Sequence, residues 1–242
     1  AVVVVVEHYA GGPLVEASDR LRSLDNPRTR GVHGRRWKVH RKNQLALGLI
    51  DDDIAFNDAL LVAWCRSVVK CLAAVHREGV LHRNLHPGAV HLDENGAARV
   101  VDFGCFRNPR ANADPYSFGR ADVIHAVFTP PELDVGERWR DPEALTPAAD
   151  IWAFGCCLYR WATGRDIPDT LVDRMQYHGE KRVRDELIAG VPRRFGNRIR
   201  SALRLCLQSD PSLRGSAEEL MAVLAKSDRR ARRAGADGAG GD

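Results

Sequence analysis

The sequence predicts a mainly α-helical domain with one small β-hairpin, an α+β arrangement. Apolar residues at helical spacing recur in several separate segments of the 242-residue chain, whereas strand-like runs are few and short. No alternation of strands and helices indicates βαβ units, and no internal repeat is present. Apolar residues make up 44% of the chain, which is enough to bury a sizeable core.

The N-terminal residues predict a buried strand followed by a break. Val2 to Val6 are consecutive β-branched residues, and Gly11, Gly12 and Pro13 then permit a turn but no ladder. Such a strand needs neighbours on both edges. Because residue 1 is Ala rather than Met, we expect the sequence to be a fragment of a longer polypeptide. The valine run has no basic flank and is far shorter than the roughly 20 residues that cross a bilayer, so we expect no membrane span.

A basic stretch covers residues 20–43, where Asp25 is the single acidic residue. A solvated surface insertion is the simplest interpretation. The alternative is a docking site, from Arg20 to Lys42, for an acidic protein, phospholipid or nucleic acid. Trp37 among arginines and a lysine favours binding without establishing it.

Four later segments carry apolar residues at helical spacing: 58–78, 146–161, 199–207 and 216–224. The first should end near Gly79. Thr146 and Pro147 supply an N-cap and a first-position proline, and Ser216-x-x-Glu219 is a capping box. Residues 226–242 consist largely of Arg, Ala, Gly and Asp and are expected to be a disordered tail.

The hairpin is predicted between the first two of these helices. Strand-like runs at 90–92 and 99–101 flank Asn95-Gly96, a dipeptide suited to the positive φ angles of a type I′ turn.

The cysteines indicate neither a metal knuckle nor a redox motif, because no C-x-x-C pair and no His cluster at zinc spacing occurs. We interpret them as reduced core thiols: Cys65, Cys71, Cys105, Cys156, Cys157 and Cys206. We therefore expect an intracellular protein, most simply a cytoplasmic one, with a nuclear location left open.

Five short motifs follow one another in a fixed order. They are His82-Arg83-Asn84-Leu85-His86-Pro87-Gly88-Ala89, Asp102-Phe103-Gly104, Pro130-Pro131-Glu132, Asp150-x-Trp152-x-x-Gly155 and Asp210-Pro211-x-x-Arg214. In this order and spacing they resemble the eukaryotic-type protein kinase family, and Leu85-x-Pro87 resembles its serine/threonine members. The resemblance implies a hinge and C-terminal lobe over residues 1–225. Apart from the hinge strand, we expect the N-terminal lobe to be missing from these 242 residues, since no glycine-rich loop, strand Lys or paired Glu precedes the hinge.

The resemblance also implies that the catalytic set is depleted. Phosphoryl transfer in the family uses a carboxylate near the attacking hydroxyl, a Lys near the γ-phosphate, and Asp plus Asn on two magnesium ions. Here Asn84 replaces the base, and an amide cannot take a proton. His86 replaces the Lys and Ala89 replaces the Asn, which leaves Asp102 as the remaining magnesium ligand. ATP and Mg are therefore possible cofactors, but weak or absent binding is expected.

The nucleotide positions depart from the family as well. Glu7 and Tyr9 occupy hinge positions that resemble adenine contacts, but Pro13 stands near the usual ribose contact. His91 stands where the family has an aliphatic residue beneath adenine. It can stack on a purine or fill an empty pocket, and the second interpretation is simpler.

The positions that maintain the fold are better kept. By resemblance, Asp150 anchors the catalytic loop. Glu132 and Arg214 form a buried ion pair, and His82 and Phe103 form the lower half of a regulatory spine. Arg83 is the residue that receives an activation-loop phosphate in many relatives. Its candidate acceptors are Tyr116, Ser117 and Thr129.

A kept scaffold beside lost chemistry predicts a pseudokinase that acts as a regulatory or scaffolding module for protein partners. The first alternative is a divergent serine/threonine kinase whose N-terminal lobe lies upstream, because phosphoryl transfer depends more on positioning than on proton removal. The second is a binder of nucleic acid or acidic surfaces through the basic stretch.

Overall fold

A computed structural model describes residues 14, 18, 19, 57–103, 128–134 and 145–226. Their elements are α1 (Asp58–Arg77), β1 (Val90–Leu92), β2 (Ala98–Val100), α2 (Pro131–Asp134), α3 (Pro147–Thr163), α4 (Leu171–His178), α5 (Glu180–Ala189), α6 (Asn197–Cys206) and α7 (Ala217–Ala225), with 3-10 turns at Pro87–Ala89 and Pro211–Leu213. The mainly α fold with a two-stranded antiparallel sheet is confirmed. The predicted strand 2–6, the basic stretch 20–43 and the tail beyond residue 226 lie outside the described residues.

Helix α1 forms one wall of the core. Its N-cap is Asn57, whose side-chain oxygen accepts a hydrogen bond from the Leu60 amide at 3.0 Å. The helix packs against α7, β2 and α3 through eight buried residues, Leu61, Val62, Trp64, Cys65, Val68, Val69, Leu72 and Ala73. Within the described part of the chain, α1 is the one helix long and apolar enough to cross a membrane by length and composition. The core helix of a globular protein, which also has a buried apolar face, meets the same criteria of length and composition.

Helix α3 runs through the centre of the fold, and twelve of its residues are buried. It begins after Thr146 with Pro147 in the first turn, as predicted, although the Thr146 side chain makes no capping hydrogen bond. Gly164, at φ 78°, ends it in a left-handed conformation. Gly155 lets α6 approach closely, because a Cβ there would lie 2.5 Å from the Cβ of Cys206.

The last helices close the core from below. Helix α6 packs against α3 and α7, and its buried residues are Ile199, Ala202, Leu203 and Cys206. The capping box that opens α7 is confirmed: the Glu219 amide donates to Ser216 Oγ, and the Ser216 amide donates to the Glu219 carboxylate. Helices α4 and α5 pack against each other at the edge of this layer.

The hairpin forms with a different turn from the predicted one. Val90 pairs with Val100 and Leu92 with Ala98, so β2 begins one residue earlier than predicted. Gly96 has φ 75°, but Asn95 does not have a positive φ, so the type I′ prediction is wrong. The reason is Asp93, because its side chain and carbonyl organise the turn.

Asp93 accepts several hydrogen bonds at this turn. Its Oδ1 accepts from the amides of Asn95 and Ala97, both at 2.9 Å, and its carbonyl accepts from the Gly96 amide at 3.0 Å. Trp64 Nε1 donates to the Gly96 carbonyl at 3.0 Å and so ties α1 to the turn.

The five described cysteines are free thiols. Four of them are buried in the core, Cys65, Cys156, Cys157 and Cys206, while Cys71 is half-buried. Burial raises the pKa of each of these four thiols above its usual value. They remain protonated and unreactive, in agreement with the interpretation as core thiols. Cys105 lies outside the described residues.

Candidate functional site

The loop at residues 82–89 is held from below by a buried carboxylate in the first turn of α3. Asp150 is 2% exposed. Its Oδ1 accepts from the Arg83 amide at 2.8 Å, and its Oδ2 accepts from the His82 amide at 2.9 Å. His76 Nε2, near the end of α1, contacts the same Oδ2 at 2.8 Å. Three donors thus satisfy a charge that would otherwise be costly to bury.

These contacts decide the ionisation of Asp150. Burial alone would raise the pKa of Asp150, but the hydrogen bonds and charges of His76 and His82 outweigh it and hold the pKa below its usual value. The carboxylate is therefore ionised at neutral pH, and it fixes the backbone of Arg83 at φ 65°.

His82 connects this anchor to the segment after the hairpin. Its Nε2 donates to the Val101 carbonyl at 2.9 Å, and its Nδ1 accepts from the Asn84 amide at 3.2 Å, which requires a neutral ring. Burial lowers the pKa of His82, against the opposing effect of Asp150 and Val101. Its ring packs against that of Phe103 with 4.5 Å between centroids, so the structure brings together the two residues that the resemblance assigns to one spine.

Asn84 and Asp102 contact each other directly. Asn84 Nδ2 donates to Asp102 Oδ2 at 2.9 Å. The Asp102 side chain is 51% exposed, and its backbone is left-handed at φ 64°. The resemblance places a catalytic base at position 84 and a magnesium ligand at position 102. In this structure Asn84 is the hydrogen-bond donor and Asp102 is its acceptor.

His86 lies beside this pair but is used by the backbone. Its Nδ1 accepts from the Gly88 amide at 3.2 Å and caps the 3-10 turn at Pro87–Ala89. Its Nε2 lies 3.8 Å from Asp102 Oδ2, too far for a hydrogen bond. Gly88 permits this cap, because a Cβ there would lie 3.0 Å from the His86 ring. Ala89 is fully buried and offers only a methyl group.

His91 is held within its own loop. It lies on β1 opposite Arg99, and its Nε2 contacts the Gly88 carbonyl at 3.1 Å. The hinge positions Glu7 and Tyr9, with which it would share a nucleotide, lie outside the described residues.

Glu132 and Arg214 form an ion pair with Arg214 wholly buried. Arg214 Nη1 and Nη2 donate to the two carboxylate oxygens of Glu132 at 2.7 and 2.9 Å. The remaining guanidinium hydrogens are taken by the carbonyls of Ala148 and Gln208, and the guanidinium lies 5.2 Å from the Trp152 ring centroid. The pair ties α2 to the base of α3 and to the turn before α7.

A cavity lies between the 82–89 loop and α2. Its wall is mostly apolar and includes Leu81, Leu85, Leu133, Leu145, Ala149 and Ala153. The Thr129 hydroxyl also lies here, buried and without a hydrogen-bond partner among the described residues. Thr129 as a phosphate acceptor stays a prediction, and its hydroxyl would have to leave this buried position before a kinase could reach it. Tyr116 and Ser117 lie outside the described residues.

Two residues that matter to the site were not singled out from the sequence. His76 contacts Asp150 across 74 positions of sequence, and no local pattern indicates that contact. Asp93 could have been found, because an Asp two residues before Asn-Gly favours a side-chain-capped turn.

The described residues do not fit a two-magnesium site. Within this part of the chain, no group of three or more His, Cys, Asp or Glu side chains converges as metal ligands. Asp102 already accepts a hydrogen bond from Asn84, and Ala89 has no ligand atom. No step through a bound metal follows from this arrangement.

Comparisons with known proteins place the chain in a family. The sequence model of the protein kinase domain family matches residues 40–223, so the chain belongs to this family. It is 30% identical over 63% of its length to the serine/threonine-protein kinase PDK1 of Cryptococcus neoformans. It is 24% identical over 74% of its length to the serine/threonine-protein kinase PKH1 of Saccharomyces cerevisiae. Mitogen-activated protein kinase kinase kinase 3 of Arabidopsis thaliana is 24% identical over 72%.

These matches cover a small part of each relative. The chain spans 12% of the length of the Cryptococcus protein, 23% of the yeast protein and 27% of the Arabidopsis protein. The likeness is to serine/threonine kinases, and it concerns the domain rather than those whole proteins. The family generally uses ATP and Mg.

Proposed function

We propose that this kinase-fold chain is a pseudokinase domain, which acts by binding protein partners rather than by transferring phosphate. The observation that carries the proposal is the 2.9 Å hydrogen bond from Asn84 Nδ2 to Asp102 Oδ2. In a family that transfers phosphate with a base and metal-bound carboxylates, these two positions need two acceptors. Here one of them is a donor, and it occupies an oxygen of the other.

The surrounding residues support the same proposal. His86 has its Nδ1 engaged in capping a backbone turn, and the Ala89 methyl is buried where a ligand atom is needed. The contacts of Asp150 and of the Glu132–Arg214 pair are meanwhile complete. A domain that keeps these scaffold contacts and has a donor in place of its base is suited to presenting surfaces to partners.

The test is a phosphate-transfer assay on the full-length native protein with labelled ATP and magnesium, using a general protein substrate and autophosphorylation. The proposal expects no transfer above that of an Asp102→Ala variant. Magnesium-dependent transfer that is abolished by Asp102→Ala would overturn it and would favour the divergent serine/threonine kinase. Intact mass and N-terminal sequencing of the native protein would show whether a glycine-rich loop and strand Lys precede residue 1.

The location and partners belong to the same proposal. An intracellular, cytoplasmic protein is favoured by six cysteines without a C-x-x-C pair and by four free thiols in the core. Nucleic acid or an acidic surface is a second candidate ligand, through Arg20 to Lys42. Binding to an oligonucleotide that weakens steeply between about 50 and 200 mM salt would support this second ligand, and binding insensitive to salt would exclude it.

A further inference from the structure

Two residues with unusual backbone angles, Arg83 in the loop before β1 and Asp102 after β2, are linked by a hydrogen bond next to them. Among the described residues, Arg83 and Asp102 are the non-glycine residues with positive φ, at 65° and 64°. This region is disfavoured for residues with a side chain, so the surrounding contacts must hold it. Asn84 directly follows Arg83, and its side chain bonds to Asp102 across 18 positions of sequence.

Two side-chain nitrogen atoms lie near one carboxylate oxygen of Asp102. Asn84 Nδ2 donates to Asp102 Oδ2 at 2.9 Å, and His86 Nε2 lies 3.8 Å from the same oxygen. Because His86 Nδ1 accepts from the Gly88 amide, the neutral ring carries its hydrogen on Nε2. An amide donor and a second nitrogen therefore lie close to the Asp102 carboxylate, the group that the family uses to hold magnesium.

Phe103, the residue after Asp102, connects this hydrogen bond to the core. Phe103 packs on the buried ring of His82, whose Nδ1 in turn accepts from the Asn84 backbone amide. Asn84 thus contacts Asp102 through its side chain and His82 through its backbone amide, while Phe103, the neighbour of Asp102, packs on His82. Loss of the Asn84 side-chain hydrogen bond should therefore weaken the position of Asp102 and the packing of Phe103 on His82.

We propose that Asn84 is a positioning residue that takes over the structural contribution of a divalent cation, holding Asp102 and the His82–Phe103 contact in place without metal. The inference rests on the proposed function, because magnesium at Asp102 Oδ2 would compete with this hydrogen bond. It also makes a specific statement about one atom. In Asn84→Asp, two carboxylate oxygens would lie at hydrogen-bond distance, and their repulsion must be relieved by a shared proton or by a cation.

The test compares melting temperatures of the full-length native protein as wild type, Asn84→Ala, Asn84→Asp and Asn57→Asp. Each protein is measured in EDTA and then in millimolar magnesium or manganese chloride, without nucleotide. Asn57→Asp is the matched control, because it adds the same charge at an exposed N-cap where Asp serves as well as Asn. Hydrogen exchange of the peptide that contains Val101 to Phe103 is followed in parallel.

In EDTA, Asn84→Ala is expected to melt about 3 °C below wild type and Asn84→Asp about 5 °C below it. Magnesium or manganese is expected to raise the melting temperature of Asn84→Asp by about 3 °C or more and to change those of wild type and Asn57→Asp by less than about 1 °C. In Asn84→Ala, exchange at Val101 to Phe103 becomes faster, with or without metal.

The proposal is overturned if exchange and melting of Asn84→Ala match wild type, or if the cations stabilise wild type as much as Asn84→Asp. An Asn84→Asp protein that is destabilised and gains nothing from either cation also contradicts it. If Asn84→Asp does not fold, the exchange of Asn84→Ala decides. Phosphate transfer by the wild type would overturn the proposed function, whereas these melting and exchange measurements test the role of Asn84 in either case.

Discussion

Two carboxylates of this domain meet nitrogen donors in very different surroundings. Glu132 binds a wholly buried Arg214 whose guanidinium hydrogens are also taken by backbone carbonyls. Asp102 accepts a side-chain hydrogen bond from Asn84 and is half-exposed. The first contact is a buried ion pair whose guanidinium hydrogens are all taken, and the second lies at the rim of the loop that carries the altered positions. Scaffold and site are therefore separable, and their variants should differ in the size of their effects.

The largest effect is expected for Arg214→Ala. The variant leaves the Glu132 carboxylate, which is 10% exposed, without its partner, and breaking a buried pair typically costs about 3 to 5 kcal/mol. Urea unfolding followed by circular dichroism should show a lobe that is unfolded or barely stable. The control is Arg182→Ala, since Arg182 is 75% exposed in its pair with Glu186, and a change within about 0.5 kcal/mol is expected. Unchanged melting of Arg214→Ala would contradict the role assigned to the pair.

The second effect concerns Asp150→Asn, an isosteric change at the carboxylate below the loop. The amide can no longer accept from the His82 amide, the Arg83 amide and His76 together, and lost charge-assisted hydrogen bonds cost about 2 to 3 kcal/mol. Asp166→Asn, at a carboxylate 61% exposed, is the control and should melt like the wild type. Equal stabilities of the two variants would show that Asp150 does not anchor the loop.

The third prediction uses pH. Because the pKa of His82 is lowered from 6.5 in the folded chain, the unfolded chain takes up the proton more readily as pH falls below 6.5. Stability is therefore complete above pH 6.5 and falls below it, by at most about 1.4 kcal/mol per pH unit for this group. The lowered pKa of Asp150 has the same sign and adds a further loss below its unfolded value of 3.8.

The measurement is the free energy of unfolding from pH 7.5 to 5. His82→Phe is expected to be less stable than wild type at pH 7.5 but to lose less between pH 6.5 and 5. The control is His178→Gln, at an exposed position on α4, which should keep the wild-type slope. A slope that is the same in His82→Phe as in wild type would assign the titration to another group.

The smallest effect is expected for Gly88→Ala, which tests the rim of the site alone. Its Cβ would lie 3.0 Å from the His86 ring, so the cap must shift, at a cost of about 1 kcal/mol. In a His86→Ala background the same substitution should cost little, and the double-mutant cycle isolates the contact. Additive effects would mean that the His86 ring does not limit this position.

Much of the scaffold could be predicted from the sequence because its signals are local. The capping box at Ser216, the proline after Thr146 and the helical spacing of 58–78 each predict an element within a few residues. The hairpin was predicted in position but not in turn type, because Asp93 had not been considered as the residue that organises it.

The sequence by itself determined the class of fold, the family motifs and their altered positions Asn84, His86 and Ala89, because these depend on residue type and spacing along the chain. Only the tertiary structure decided what the altered residues contact. Asn84 meets Asp102 across 18 positions, and His76 meets Asp150 across 74. The physical reason is that a hydrogen bond depends on distance and direction in space. Where Asn84 and His86 point is set by the packing of α1, α3 and the hairpin around the loop.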